Sequence, residues 1–147
     1  MTTKYIVGID GGSQSSKVVI FDTEGRIVCE ASEALAPMHT PQPGTAEHPD
    51  DDLYDTIVAA ARRALAAFPG NVADIVGVGL CTIRCCRALV RADGTLAEPV
   101  QSWMDHRLSR PYEHTNDEVA YVTTTSGYLM GRLTGSRTDT AANYIGP

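Results

Sequence analysis

The run YIVGIDGGSQSSKVVIFDTEG (Tyr5–Gly25) puts a single aspartate, Asp10, at the end of an apolar segment. Two glycines and a cluster of hydroxyls follow, and a second apolar segment then resumes. Residues 4–10 and 16–22 are rich in Val and Ile and read as two strands joined by a tight turn at Gly11-Gly12-Ser13. Asp22–Gly25 is a second turn signal, and RIVCEASEALA continues as a third strand in which Ile27, Cys29 and Ala31 alternate with Val28, Glu30 and Ser32. The three form an antiparallel meander.

Outward from the meander, Pro37–Pro49 holds four prolines and reads as a loop. A helix follows it. Pro49 stands near the first turn, Asp50, Asp51 and Asp52 suit the positive end of the helix dipole, and Leu53, Ile57, Ala60, Ala64 and Phe68 recur at helical spacing. Pro69-Gly70 stops it. The continuous apolar run Asp74–Thr82 has the character of a central strand buried on both faces. CRALVRADGTLAEPVQSW reads as a hairpin turning at Ala92-Asp93-Gly94. A last helix is expected over about Asp117–Leu133, with Tyr121 and Tyr128 as packing residues and Gly135 at its end. The order is that of an α/β layer with a mixed sheet.

The 147 residues suffice for one hydrophobic core or for part of a larger domain. A formal net charge of -6 leaves no electrostatic footprint for nucleic acid or an anionic membrane. No basic-apolar leader precedes Tyr5 and no apolar run approaches the ~20 residues of a membrane span, so the chain is expected in the cytoplasm. Cys81, Cys85 and Cys86 do not match a zinc spacing, so with Cys29 they read as reduced thiols. His39, His48, His106 and His114 form no HxxxH or HExxH pair.

The chemistry of the first turn admits two readings. Gly11 and Gly12 let backbone N–H groups approach an anion unobstructed by a Cβ, Ser13, Gln14, Ser15 and Ser16 add donors, and Lys17 adds charge. Phosphate oxygens suit that set. A carboxylate beside them would repel phosphate unless a divalent cation lay between, so Asp10 points to Mg2+ with a nucleotide. On the other reading Asp-Gly is simply a hairpin turn. The stretch is neither a Walker loop nor a GxGxxG opening a helix.

GIDGGSQSSKVVIFDTEGRIV resembles the first phosphate-binding hairpin of the FGGY carbohydrate kinases, within the actin-like ATPase superfamily. Four further stretches agree in order: Gly44, Glu47, Pro49 and Tyr54; the strand at residues 74–82 with its hairpin; Trp103, Asp105 and Arg107; and Leu133-Thr134-Gly135 followed by Asp139 and Ala142. The resemblance implies a ribonuclease H-like (actin-like ATPase) α/β fold with a mixed five-stranded sheet flanked by helices. It implies ATP and Mg2+ as cofactors, with Asp10 as the catalytic, metal-orienting carboxylate. Gly11, Gly12, Ser13, Gln14, Ser15 and Lys17 would line the nucleotide phosphates. Thr82, Arg84, Cys85, Trp103 and Asp105 would face the sugar, the indole lying against a C–H face and the carboxylate accepting hydroxyl bonds. Asp105 and Arg107 can alternatively pair with each other.

The family's kinases run to several hundred residues in two similar domains, so residues 1–147 correspond to part of the N-terminal domain. Their proton-accepting aspartate, second phosphate loop and adenosine site lie downstream. The stretch between Arg107 and the Leu-Thr-Gly helix is shorter than usual, implying a smaller sugar-side lobe. The parent reaction implied is transfer of the ATP γ-phosphoryl group to a sugar or polyol hydroxyl, a pentulose such as xylulose being favoured. The 147-residue chain alone is expected to be inactive. Partners would be sugar and ATP, and a homodimer is admitted. An actin-like ATPase or sensor, or a non-catalytic α/β module, is the alternative.

Overall fold

A computed structural model describes residues 3–144. It divides into two compact units, one running from the start of the described chain to Leu35 and including Leu53–Thr82, the other made of Ala36–Asp52 and everything from Ile83 on.

In the first unit, β1 (Tyr5–Gly11), β2 (Ser15–Asp22) and β3 (Ile27–Ala34) form the expected antiparallel meander, and β5 (Ile75–Thr82) runs parallel to β1. The strand order is β3-β2-β1-β5, a mixed sheet of four strands among the described residues where five were expected. Helix α1 (Asp52–Ala67) covers one face. Val7 and Ile9 of β1 and Val18 and Ile20 of β2 are buried with Leu53, Ile57, Ala60 and Ala64 of α1. Each large aliphatic side chain so buried contributes roughly 1.5–3 kcal/mol. A buried hydroxyl pair, Ser16 Oγ to Thr56 Oγ1 at 2.8 Å, ties helix to sheet. Tyr5 and Phe68 close the far end edge-to-face, 4.8 Å between ring centroids.

The apolar run Asp74–Thr82 does form a strand, but at the edge of this sheet and not at its centre. Val76 is 60% and Val78 64% exposed. The composition suits a parallel strand; whether such a strand is flanked on both sides depends on its neighbours, and among the described residues β5 has β1 alone.

The second unit holds two small antiparallel sheets. One pairs β4 (Glu47–His48) with β7 (Val100–Gln101); the other pairs β6 (Ala88–Val90) with β8 (Tyr121–Thr123). The turn expected at Ala92-Asp93-Gly94 is present, closed by Arg91 N–H to the Thr95 carbonyl at 2.8 Å and by an isolated bridge between Val90 and Leu96. The chain then leaves β6, so the expected hairpin is short.

The last helix is also shorter than its apolar spacing predicted: α2 covers Thr125–Thr134. Tyr121, Val122 and Thr123 are aromatic or β-branched and take the strand instead. Thr124 caps the helix, its side chain accepting from Gly127 N–H at 3.2 Å. Gly135 ends it in the left-handed region (φ 73°), as expected, its N–H donating to the Gly131 carbonyl at 2.8 Å. Tyr128 is buried on α2, whereas Tyr121 lies on β8.

Candidate functional site

Each unit carries part of what the sequence singled out. In the first, Asp10 sits one residue before the end of β1, exposed, with Lys17 as its cross-strand partner. Among the described residues the Asp10 carboxylate has no ion pair and no hydrogen bond. The turn after it is tight: Gly12 N–H donates to the Ser15 carbonyl at 3.0 Å, and a Cβ on Gly12 would meet that oxygen at 2.9 Å. Only glycine fits there. The Gly12 amide is thereby used up inside the turn, whereas the N–H groups of Ser13 and Gln14 meet no acceptor among the described residues. Lys17 turns its ammonium to Glu30 of β3 (2.9 Å), an exposed pair of little energetic weight. Gly11 is buried in β1 and Ser15 opens β2. This donor set suits Mg2+, a hard cation that takes one or two carboxylates and completes its shell with water and phosphate oxygens.

In the second unit a cavity of about 480 Å3 has Cys85, Cys86, Trp103 and Asp105 in its wall. Trp103 is 54% exposed, so it is no core anchor. It stands on a turn locked from below by Asp105, whose carboxylate is buried and fully engaged. One oxygen accepts Arg107 N–H and Nε–H, both at 2.9 Å; the other accepts Ala46 N–H at 2.8 Å and Arg107 Nη2 at 2.6 Å. Arg107 Nη2 also reaches Glu47 at 2.6 Å. Burial alone would raise the Asp105 carboxyl, but the Arg107 side chain and the two backbone N–H groups override it and hold it at about 2. The same two carboxylates hold the Arg107 guanidinium above its ordinary value, against burial. His106 adds a further tie, N–H to the Gly44 carbonyl at 2.9 Å with its ring Nδ1 on the same oxygen at 2.8 Å.

Gly44 and Glu47, some sixty residues ahead of Asp105 and Arg107, thus join them in one network. Of the two uses open to Asp105, the structure displays the pairing with Arg107, with no acceptor position left over.

Thr82 closes β5 in the first unit. Arg84 donates to the Ala142 carbonyl at 3.4 Å and stands outside the cavity wall. Cys85 is exposed and takes a left-handed backbone (φ 59°), a strained state for a residue other than glycine. Cys86 is buried, which pushes its thiol up. Reading the sequence missed Arg87, Thr123, Asn143 and Tyr144, which also line the cavity. Asn143 and Tyr144 arrive there because Asp139 folds the chain back on the start of α2, accepting from Thr124 Oγ1 (2.5 Å) and Asn143 Nδ2 (2.5 Å). The Asp-x-x-x-Asn spacing after the Leu-Thr-Gly turn was the available signal.

No helix among the described residues is long and apolar enough to cross a membrane, and none of their His, Cys, Asp and Glu side chains form a group of three able to hold a metal. Asp51, placed by sequence at the helix start for its charge, instead pairs with Arg132 and accepts from the Tyr128 hydroxyl. Asp52 opens α1 and accepts Ala36 N–H at 2.9 Å.

A family model described as the FGGY family of carbohydrate kinases, N-terminal domain, matches residues 5–130. The chain is 60% identical over 146 residues to the uncharacterized sugar kinase YgcE of Escherichia coli (strain K12), covering 99% of this chain and 30% of that one. It is 36% identical over 104 residues to a glycerol kinase of Delftia acidovorans (strain DSM 14801 / SPH-1), covering 70% of this chain and 21% of that one. A crystal structure of xylulose kinase from Rhodospirillum rubrum superimposes with a TM-score of 0.76 at 17% identity, over 92% of this chain and 35% of that one. The chain therefore spans about a third or less of the length of these relatives.

Proposed function

The chain belongs to the FGGY family of carbohydrate kinases, and from that premise we propose that it supplies the first phosphate turn and part of the acceptor pocket for ATP-dependent phosphorylation of a sugar or polyol hydroxyl. The observation that carries the reading is the cavity in the second unit, with the single tryptophan of the chain half out in solvent on a turn that Asp105, Arg107 and Glu47 hold rigid. An exposed indole normally costs hydration free energy; against the C–H face of a sugar it becomes a binding surface. Asp105 serves here as a positioning residue for that indole. Cys85 and the polar groups of Thr123 and Asn143 offer donors and acceptors to hydroxyls. A volume of about 480 Å3 accommodates a five- or six-carbon acceptor such as a ketopentose.

In the first unit, Asp10 with the open amides of Ser13 and Gln14 would hold the Mg2+ and phosphates of a nucleotide. When bound, Mg2+ neutralises phosphate charge that the carboxylate would otherwise repel. The chain's own part is to present fixed dipoles, and positioning with charge neutralisation accounts for most of the rate in such transfers. A cytoplasmic enzyme suits these substrates.

Trp103 gives the test its own probe. Titration with D-xylulose, glycerol and D-glucitol should change its fluorescence saturably for at least one acceptor, and Trp103→Phe should abolish the signal. Emission that stays flat for every sugar and polyol would refute the pocket.

A further inference from the structure

Cys85 and Cys86 are adjacent in sequence, carry free thiols and line the same cavity. Neighbouring residues of an extended chain point to opposite sides, so a shared cavity is not their ordinary arrangement. The left-handed backbone of Cys85 (φ 59°) breaks the alternation and brings both residues into one wall. At a residue other than glycine such a conformation persists only where its surroundings enforce it, and it marks a candidate for function.

The two thiols are held differently. Cys85 is exposed. Cys86 is 6% exposed, and its Sγ–H donates to the Arg84 carbonyl at 3.6 Å. Burial holds the Cys86 thiol up, against the Thr125 hydroxyl and the Trp103 N–H that face its sulfur, and the neighbouring Cys85 charge adds to the rise. The two sulfurs therefore feel each other, and the backbone of Trp103 stands beside them. An accessible thiol next to a sheltered one is the pairing of an attacking with a resolving cysteine.

We propose that Cys85 and Cys86 form a reversible disulfide by exchange with a low-molecular-weight disulfide such as oxidised glutathione, and that the bridge weakens acceptor binding in the Trp103 pocket. The bridge stands on the thiol pair alone; its effect on the acceptor rests on the pocket reading above. In the first step the Cys85 thiolate attacks one sulfur of glutathione disulfide. A new S–S bond forms, the old one breaks, and one glutathione leaves and takes up the proton that Cys85 gave. Cys86 then loses its proton and attacks the Cys85 sulfur, expelling the second glutathione, which takes that proton. Two protein thiols and one glutathione disulfide become one protein disulfide and two glutathione thiols, with two electrons passing to glutathione sulfur. Consecutive Cα atoms stand about 3.8 Å apart, below the roughly 4.4–6.8 Å usual for a bridge, so the ring is strained and reduces readily. Closing it removes the Cys85 S–H donor from the pocket and shifts the wall beside Trp103.

The 147-residue chain, incubated with oxidised glutathione, should lose two hydrogens by intact mass, and peptide mapping should place the bridge between Cys85 and Cys86. Trp103 emission should fall as the bridge forms, since a disulfide beside an indole quenches it, and should recover on reduction. Acceptor titrations followed by that emission should give an affinity about fivefold or more weaker for the oxidised chain. Cys86→Ser should stop at a mixed disulfide of Cys85 with glutathione, and Cys81→Ser should oxidise like the parent. Because Cys86→Ser alters a buried position, the mapping on the unaltered chain decides if that variant does not fold. A stable glutathione adduct, a bridge to Cys81 or Cys29, or a disulfide between two chains as the end product would overturn the thiol pair. A mapped Cys85–Cys86 bridge with unchanged acceptor affinity would overturn the control of binding and leave the pocket standing. Emission flat for every acceptor in the reduced chain would overturn the pocket and with it the control, while the mapping still decides the bridge.

Discussion

Replacing Asp105 by Asn keeps the shape of the side chain and removes the charge that Arg107 and the Ala46 amide address. A carboxyl brought from the ordinary 3.8 to about 2 corresponds to about 2.5 kcal/mol in favour of the folded state at neutral pH. The variant leaves one amide hydrogen-bond donor facing other donors and an incompletely paired Arg107, so the total loss at pH 7 should be about 2–4 kcal/mol. The pH dependence follows from the direction of the shift. The folded carboxyl is the stronger acid, so its contribution is complete above the unfolded value near 3.8 and is lost as pH falls through about 2; at pH 3 about half remains. Urea denaturation of the chain and of Asp105→Asn at pH 7 and pH 3 reads both quantities. A loss below about 0.5 kcal/mol at pH 7, or a gap that does not narrow in acid, would refute the claim that this carboxylate holds the Trp103 turn.

Three further outcomes are expected. His48 is 1% exposed, neither ring nitrogen has a hydrogen-bond partner among the described residues, and burial holds its pKa below 6.5 against the pull of Asp52. Protonation therefore favours the unfolded chain, so thermal stability should fall as pH drops below about 6.5, and His48→Leu should flatten that fall between about pH 6.5 and 5. Cys85→Gly removes left-handed strain (φ 59°) and should raise the urea midpoint by an amount equivalent to about 1 kcal/mol. Gly12→Ala, whose Cβ would sit 2.9 Å from the Ser15 carbonyl, should cost about 1–3 kcal/mol and shift the amide resonances of residues 11–16.

The sequence made some of this legible and hid the rest for physical reasons. The meander from Tyr5 to Ala34 could be read because alternation, glycine and turn chemistry are all local, and Gly135 marked its helix end for the same reason. The edge position of β5 could not, since an apolar parallel strand looks alike at the centre or at the edge of a sheet. Thr123, Thr124 and Thr125 divide between a strand, a cap and a helix, a split that depends on the pairing of β8 with β6. Asp105 and Arg107 stand two apart and were readable as a pair. Their union with Glu47 and Gly44 was not, because it is made across about sixty residues. The lack of a partner for Asp10 among the described residues and the consumption of the Gly12 amide inside its own turn are likewise questions of three-dimensional partners.

The claim on which the kinase reading turns is that Asp10 and the amides of Ser13 and Gln14 grip a magnesium nucleotide. Amide NMR of the chain with ADP, recorded with and without Mg2+, addresses it directly. The account predicts Mg2+-dependent shifts centred on Ser13 and Gln14 that vanish in Asp10→Asn. Shifts that are indifferent to Mg2+, or that persist unchanged in Asp10→Asn, would contradict it.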